Sequence, residues 1–128
     1  MRTILERCYT NDVEGLTGND DEGQMSAWYV LSAAGLHQIC PGDQRVEICS
    51  PLFKEIVFDL DPAFYPGKCF TVRTHGDGDY IQKARLNGKT WTRCWLDWDE
   101  IASGGTLELW LGPEPNTAWG LRDSQSPK

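Results

Sequence analysis

Near residue 44 the spacing of apolar side chains changes from helical to alternating, which limits the chain to a helical part followed by a sheet. Ile4, Leu5, Cys8 and Tyr9 fall on one face of a short helix with no capping residue before it. Residues 10–23 are turn-rich. Asp21-Glu22-Gly23-Gln24 then has the form of a capping box, with Asp at the cap and Gln three residues on. It predicts a helix over Met25–Leu36 with Ala27, Trp28, Val30, Leu31 and Ala34 as its apolar stripe and Gly35 placed to end it. From Arg45 the period is two: Val46 with Ile48, then Ile56, Phe58 and Leu60, then Phe70 with Val72. Asn87-Gly88, between Tyr80–Leu86 and Lys89–Leu96, predicts a hairpin with a type I′ turn. After Ser103-Gly104-Gly105 a last strand carries Leu107, Leu109 and Leu111 on one face. The expected fold class is α+β: a helical segment over 1–44, a small antiparallel β-sandwich of five or six strands over 45–112, and a tail over 113–128 with a frayed end.

The chain has 128 residues, enough for one domain with a real core. Its 12 basic and 19 acidic residues give a net charge of −7, which repels phosphate backbones and argues against nucleic acid as a partner. No apolar run is long enough to span a membrane, and the start MRTILERCYT has no signal-peptide character. The five cysteines, Cys8, Cys40, Cys49, Cys69 and Cys94, are odd in number and form no CxxC pair. With His37 and His75 far apart, a zinc site is not expected, and the thiols read as small buried side chains.

Three clusters could carry chemistry. In Gly18-Asn19-Asp20-Asp21-Glu22-Gly23-Gln24, three acids stand between glycines at a helix start. The free amides and the helix dipole there favour ionised carboxylates, as a general base requires. The same residues serve equally as a helix cap on a solvated loop, and the spacing is not that of an EF-hand. Trp91, Trp95 and Trp98 form an aromatic group in which Trp91, Arg93 and Trp95 share one side of a strand. Such rings stack on sugars or fill a core. Asp77-Gly78-Asp79 reads as a turn, with metal binding the minor alternative.

The run GNDDEGQMSAWYVLSAAGL resembles the signature of glycoside hydrolase family 92, the calcium-dependent α-mannosidases. Cys40-Pro41-Gly42, Ser50-Pro51-Leu52-Phe53, Tyr80-Ile81-Gln82, Leu86-Asn87-Gly88 and Gly104-Gly105-Thr106-Leu107 resemble later segments of that family in the same order. The likeness implies a C-terminal piece of a longer enzyme: the end of an (α/α)6 barrel followed by strands. It implies hydrolysis of terminal α-mannosides with inversion, calcium at the sugar, and mannose-containing glycans as partners. It implies that Asp21, or next to it Asp20, is the general base, and that Asn19 and Gln24 lie beside the sugar or the ion. The family's general acid, a Glu on an earlier barrel segment, has no counterpart here, and Trp98 stands where the family often has His. Inactivity of this chain alone follows from the missing acid. A secreted or periplasmic parent and self-association of the exposed helical stripe are further expectations. A different reading, also carried by the residues, is a non-catalytic sugar-binding or structural β-sandwich module.

Overall fold

The computed structural model describes residues 1–121, so the expected fraying at the end of the tail lies outside the described residues. Helix α1 (Arg2–Arg7) buries Leu5, while Ile4 stays exposed, so its apolar face is narrower than the spacing suggests. Helix α2 (Gln24–Ala33) stops where Gly35 takes φ +88°. A side chain at position 35 would meet the Cys49 carbonyl and the Pro51 ring at 3.0 and 3.1 Å, so the turn after α2 needs glycine for both its angle and its room.

Two details of α2 differ from the expectation. Its N-cap is Gly23 in the left-handed region, not Asp21, and the Asp21–Gln24 capping box does not form. The stripe is mostly uncovered: Ala27, Val30 and Leu31 are exposed and Trp28 is half-buried, whereas Ser32, Ala33 and Ala34 go inside. The helix meets the body of the molecule with its C-terminal end.

Leu36, at the edge of the expected helix, already belongs to a strand. Strand β1 (Leu36–His37) pairs with β2 (Arg45–Ile48), and β2 pairs with β7 (Trp95–Asp97), giving a small antiparallel sheet. The second sheet has the order β3-β4-β8-β5-β6, from β3 (Glu55–Asp59), β4 (Cys69–His75), β5 (Tyr80–Leu86), β6 (Lys89–Trp91) and β8 (Gly105–Gly112). It is mixed rather than antiparallel: β4 and β8 run parallel, with Val72 opposite Leu107 and Thr74 opposite Leu109. Among the described residues eight strands replace the expected five or six, because β1 and the Trp95 segment pair away from the larger sheet.

The Asn87-Gly88 turn forms as expected, with φ +50° and +78°. Asn87 Oδ1 also accepts the Thr106 N–H at 2.8 Å, fastening the hairpin to β8. Between β7 and β8 a short helix α3 (Trp98–Ala102) appears where none was expected, and the Glu100 carboxylate accepts the Asp97 N–H at its start.

Both sheets share one core. Phe70, Leu107 and Leu109 from the larger sheet and Leu96 from the smaller are fully buried. Each such side chain contributes roughly 1.5–3 kcal/mol relative to exposure. Leu111 is only half-buried, since the ladder slips at Gln82, between Ile81 and Lys83, where β5 faces β8. Residues 113–121 are not loose: Trp119 packs against the core, and the Asn116 amide donates to the Gln82 carbonyl at 2.7 Å. All five cysteines are free, but Cys40, Cys69 and Cys94 are exposed, which corrects the expectation of buried thiols. Only Cys8 and Cys49 are partly covered, and burial pushes the Cys49 thiol up to about 11.

Candidate functional site

The acid loop is built around a helix start that has no side-chain cap of its own. Gly23, at the N-cap, accepts the Ala27 N–H through its carbonyl at 2.9 Å but has no side chain to accept an earlier amide of the first turn. Asp20 does so from outside the helix. Its Oδ1 accepts the Ser26 N–H at 2.9 Å and its Oδ2 accepts the Ser26 hydroxyl at 2.6 Å. Its carbonyl accepts the Gln24 N–H at 2.8 Å. The Ser26 hydroxyl and amide hold the Asp20 carboxyl below the usual carboxylate range, so it stays ionised.

Between these anchors Asp21, Glu22 and Gly23 take φ of +41°, +63° and +84°. Side-chain-bearing residues rarely adopt that region, and such angles concentrate where a structure holds a group in a set direction. Asp21 is exposed, and its carboxylate makes no hydrogen bond among the described residues. The two neighbouring aspartates are therefore unlike: Asp20 has both oxygens engaged, and Asp21 has both free. Asn19 and Gln24 are exposed beside them, with no side-chain hydrogen bond among the described residues.

Tyr9 and Trp28, which the apolar spacing assigns to helix faces, form an aromatic group with Tyr29 next to this loop. Tyr9 stacks on Trp28 at 5.7 Å between centroids and lies tilted against Tyr29 at 4.9 Å. Its hydroxyl donates weakly to the Met25 carbonyl at 3.4 Å. Burial and the Asp20 carboxylate beside it raise the Tyr9 phenol above its ordinary value. Tyr9, Tyr29 and Ser26 line a cleft of about 580 Å³ with the 10–16 loop. The Trp28-Tyr29 pair in α2 was the available signal, but on a helix it reads as ordinary core.

The tryptophan group is arranged differently from the expectation. Trp91 ends β6 and Trp95 begins β7, so the two lie in different sheets rather than along one strand. Arg93 still lies with both rings, its guanidinium 4.2 Å from the Trp91 centroid and 4.1 Å from that of Trp95. The same group donates to Glu100 at 2.6 Å. The ring faces that would stack on a sugar are thus turned to an arginine. Trp98 is 43% exposed and meets Tyr65 edge-on at 6.2 Å. Asp77-Gly78-Asp79 forms the bend between β4 and β5, with Asp79 3.5 Å from the Arg2 guanidinium.

Calcium would need several oxygen ligands converging. Among the described residues no three His, Cys, Asp or Glu side chains come together in that way. Asp20 is already committed to Ser26. The residues present do not fit a complete calcium cage.

Comparison with known proteins places this geometry in context. Residues 1–113 match the glycosyl hydrolase family 92 catalytic domain. An uncharacterized secreted glycosidase of Arthroderma benhamiae is 37% identical over 130 residues, covering 98% of this chain and 16% of that protein. A family GH92 inverting mannosidase of Bacteroides thetaiotaomicron is 40% identical with a TM-score of 0.81, over 93% of this chain and 16% of that one. A family GH92 α-mannosidase of the same bacterium, solved with mannoimidazole, is 30% identical with a TM-score of 0.88, over 99% of this chain and 17% of that one. The chain spans about one-sixth of the length of these relatives.

Proposed function

The chain belongs to glycosyl hydrolase family 92, and on that premise we propose that it is the C-terminal part of an enzyme that removes terminal α-mannose with inversion of configuration. The observation that carries the reading is the left-handed turn that frees the Asp21 carboxylate while Asp20 is tied down. In this reading Asp21 is the general base: it takes a proton from a water, and that water attacks the anomeric carbon. A carboxylic acid on a segment outside this chain protonates the departing glycosidic oxygen. Inverting hydrolysis needs the two carboxyl groups ~6.5–9.5 Å apart, with the water between base and sugar. Asn19 and Gln24, flanking the turn, would hydrogen-bond the mannose hydroxyls. Asp20 adds a fixed negative charge and remains the second candidate for the base.

Calcium, where the parent enzyme binds it, is held mainly by residues beyond this chain. The substrates are mannose-containing glycans. The relative named as a secreted glycosidase supports a secreted or periplasmic parent.

A chimera tests the base. Residues 1–121 replace the corresponding portion of the Bacteroides inverting mannosidase, and turnover of an α-mannoside is compared with and without Asp21→Asn. Loss of a general base should lower kcat by a factor of ~10²–10⁴. A chimera whose turnover survives D21N unchanged would falsify the assignment.

A further inference from the structure

The turn that carries Asp21 needs something to hold it. Three successive residues at positive φ, two of them with side chains, are not a conformation the backbone keeps unaided. Asp20 bridges the turn at two levels. Its carbonyl bonds the first residue of α2, Gln24, and its carboxylate bonds the third, Ser26. Asp21, Glu22 and Gly23 must close the loop within that fixed span.

Ser26 does more than a helix start requires. Its amide alone would satisfy the cap. Its hydroxyl adds a second, charge-assisted bond at 2.6 Å to the other oxygen of Asp20. Each oxygen of Asp20 is thus already engaged by one donor, whereas the neighbouring Asp21 is the unengaged partner of the pair.

We propose that Ser26 is a positioning residue for Asp21: by clamping both oxygens of Asp20 it fixes the left-handed turn that presents the Asp21 carboxylate. The proposal rests on the reading of Asp21 as the base, but its test is independent of activity. NMR on this chain compares wild type, Ser26→Ala and Ser26→Thr. In S26A the three-bond amide–α couplings of Asp21 and Glu22 should leave the values of a fixed left-handed turn. The amide of residue 26 should exchange about tenfold faster, as the loss of one hydrogen bond to a charged group implies. S26T, which keeps the hydroxyl, should restore both. Signals from the two sheets report in the same spectra that the fold is kept. Should S26A lose them, Asp20→Asn weakens both bonds from the other side and is read in the same way. Wild-type couplings and exchange in S26A, or a failure of S26T to restore them, overturn the clamp and leave the base assignment standing. A fully active D21N chimera overturns the base and leaves the clamp.

Discussion

Adjacent aspartates in one loop differ here by what donates to them, and the difference has a pH signature. Asp20 is held below its ordinary value of 3.8 by the Ser26 hydroxyl and amide. Its folded-state value is thus lower than its unfolded one. The stabilisation is complete above the unfolded value and is lost as pH falls through the folded value. Acid titration should therefore open the loop locally: the Ser26 amide should lose protection at pH below 3.8 before the sheet amides do. Loss of protection already near neutral pH would show that the clamp is not built on an ionised Asp20. The identity of the capping residue was not legible in advance. Asp21 with Gln24 matches the capping pattern letter for letter, but Gly23 takes the N-cap position, and only the fold reveals its left-handed angle.

Among the elements, the link between the two sheets depends on Arg93. The connection from β6 to β7 places its guanidinium with two indole rings and next to the Glu100 and Asp97 carboxylates, at 2.6 and 3.5 Å. Arg93→Ala should cost about 2 kcal/mol, the sum of two partly covered cation–π contacts and a partly exposed ion pair. Urea denaturation followed by tryptophan fluorescence measures it, and a variant as stable as wild type would show that the stack is incidental. How far such features can be read in advance follows from range. The Asn87-Gly88 hairpin was legible because the two residues in the turn encode it. The parallel pairing of β4 with β8 was not, because nothing local to Val72 announces Leu107 as its neighbour. The Trp91–Trp95 spacing suggested one strand. An irregular stretch at 92–94 carries Trp95 to the other sheet, yet the two rings keep the arginine they share. At the site, the acids were legible by type, whereas Ser26 and Tyr9 were not, since their parts are set by contacts across the loop.

At the scale of the whole molecule, the uncovered side decides behaviour in solution. Val13 and Val30, 103% and 62% exposed, line one cleft with Leu16, and Ile4 and Leu31 are further exposed apolar residues of the helical segment. Apolar surface of this kind favours association. The chain should show a mass that rises with concentration in sedimentation velocity, and a constant monomer mass would count against this. Hydrolysis needs a second carboxyl group, which we place outside this chain. Purified protein should accordingly release no chromophore from an aryl α-mannoside, with or without added calcium. Robust turnover would mean that the acid has been sought in the wrong place.

The parallel ladder between β4 and β8 also bears on how the protein is made. Gly105–Gly112 occupies the middle of its sheet but leaves the ribosome after both of its eventual neighbours, so β4 and β5 must wait, side by side in sequence yet separated by an empty slot. Nascent chains stalled before Leu107 should be fully open to protease attack, and resistance should arrive abruptly once that strand clears the exit tunnel.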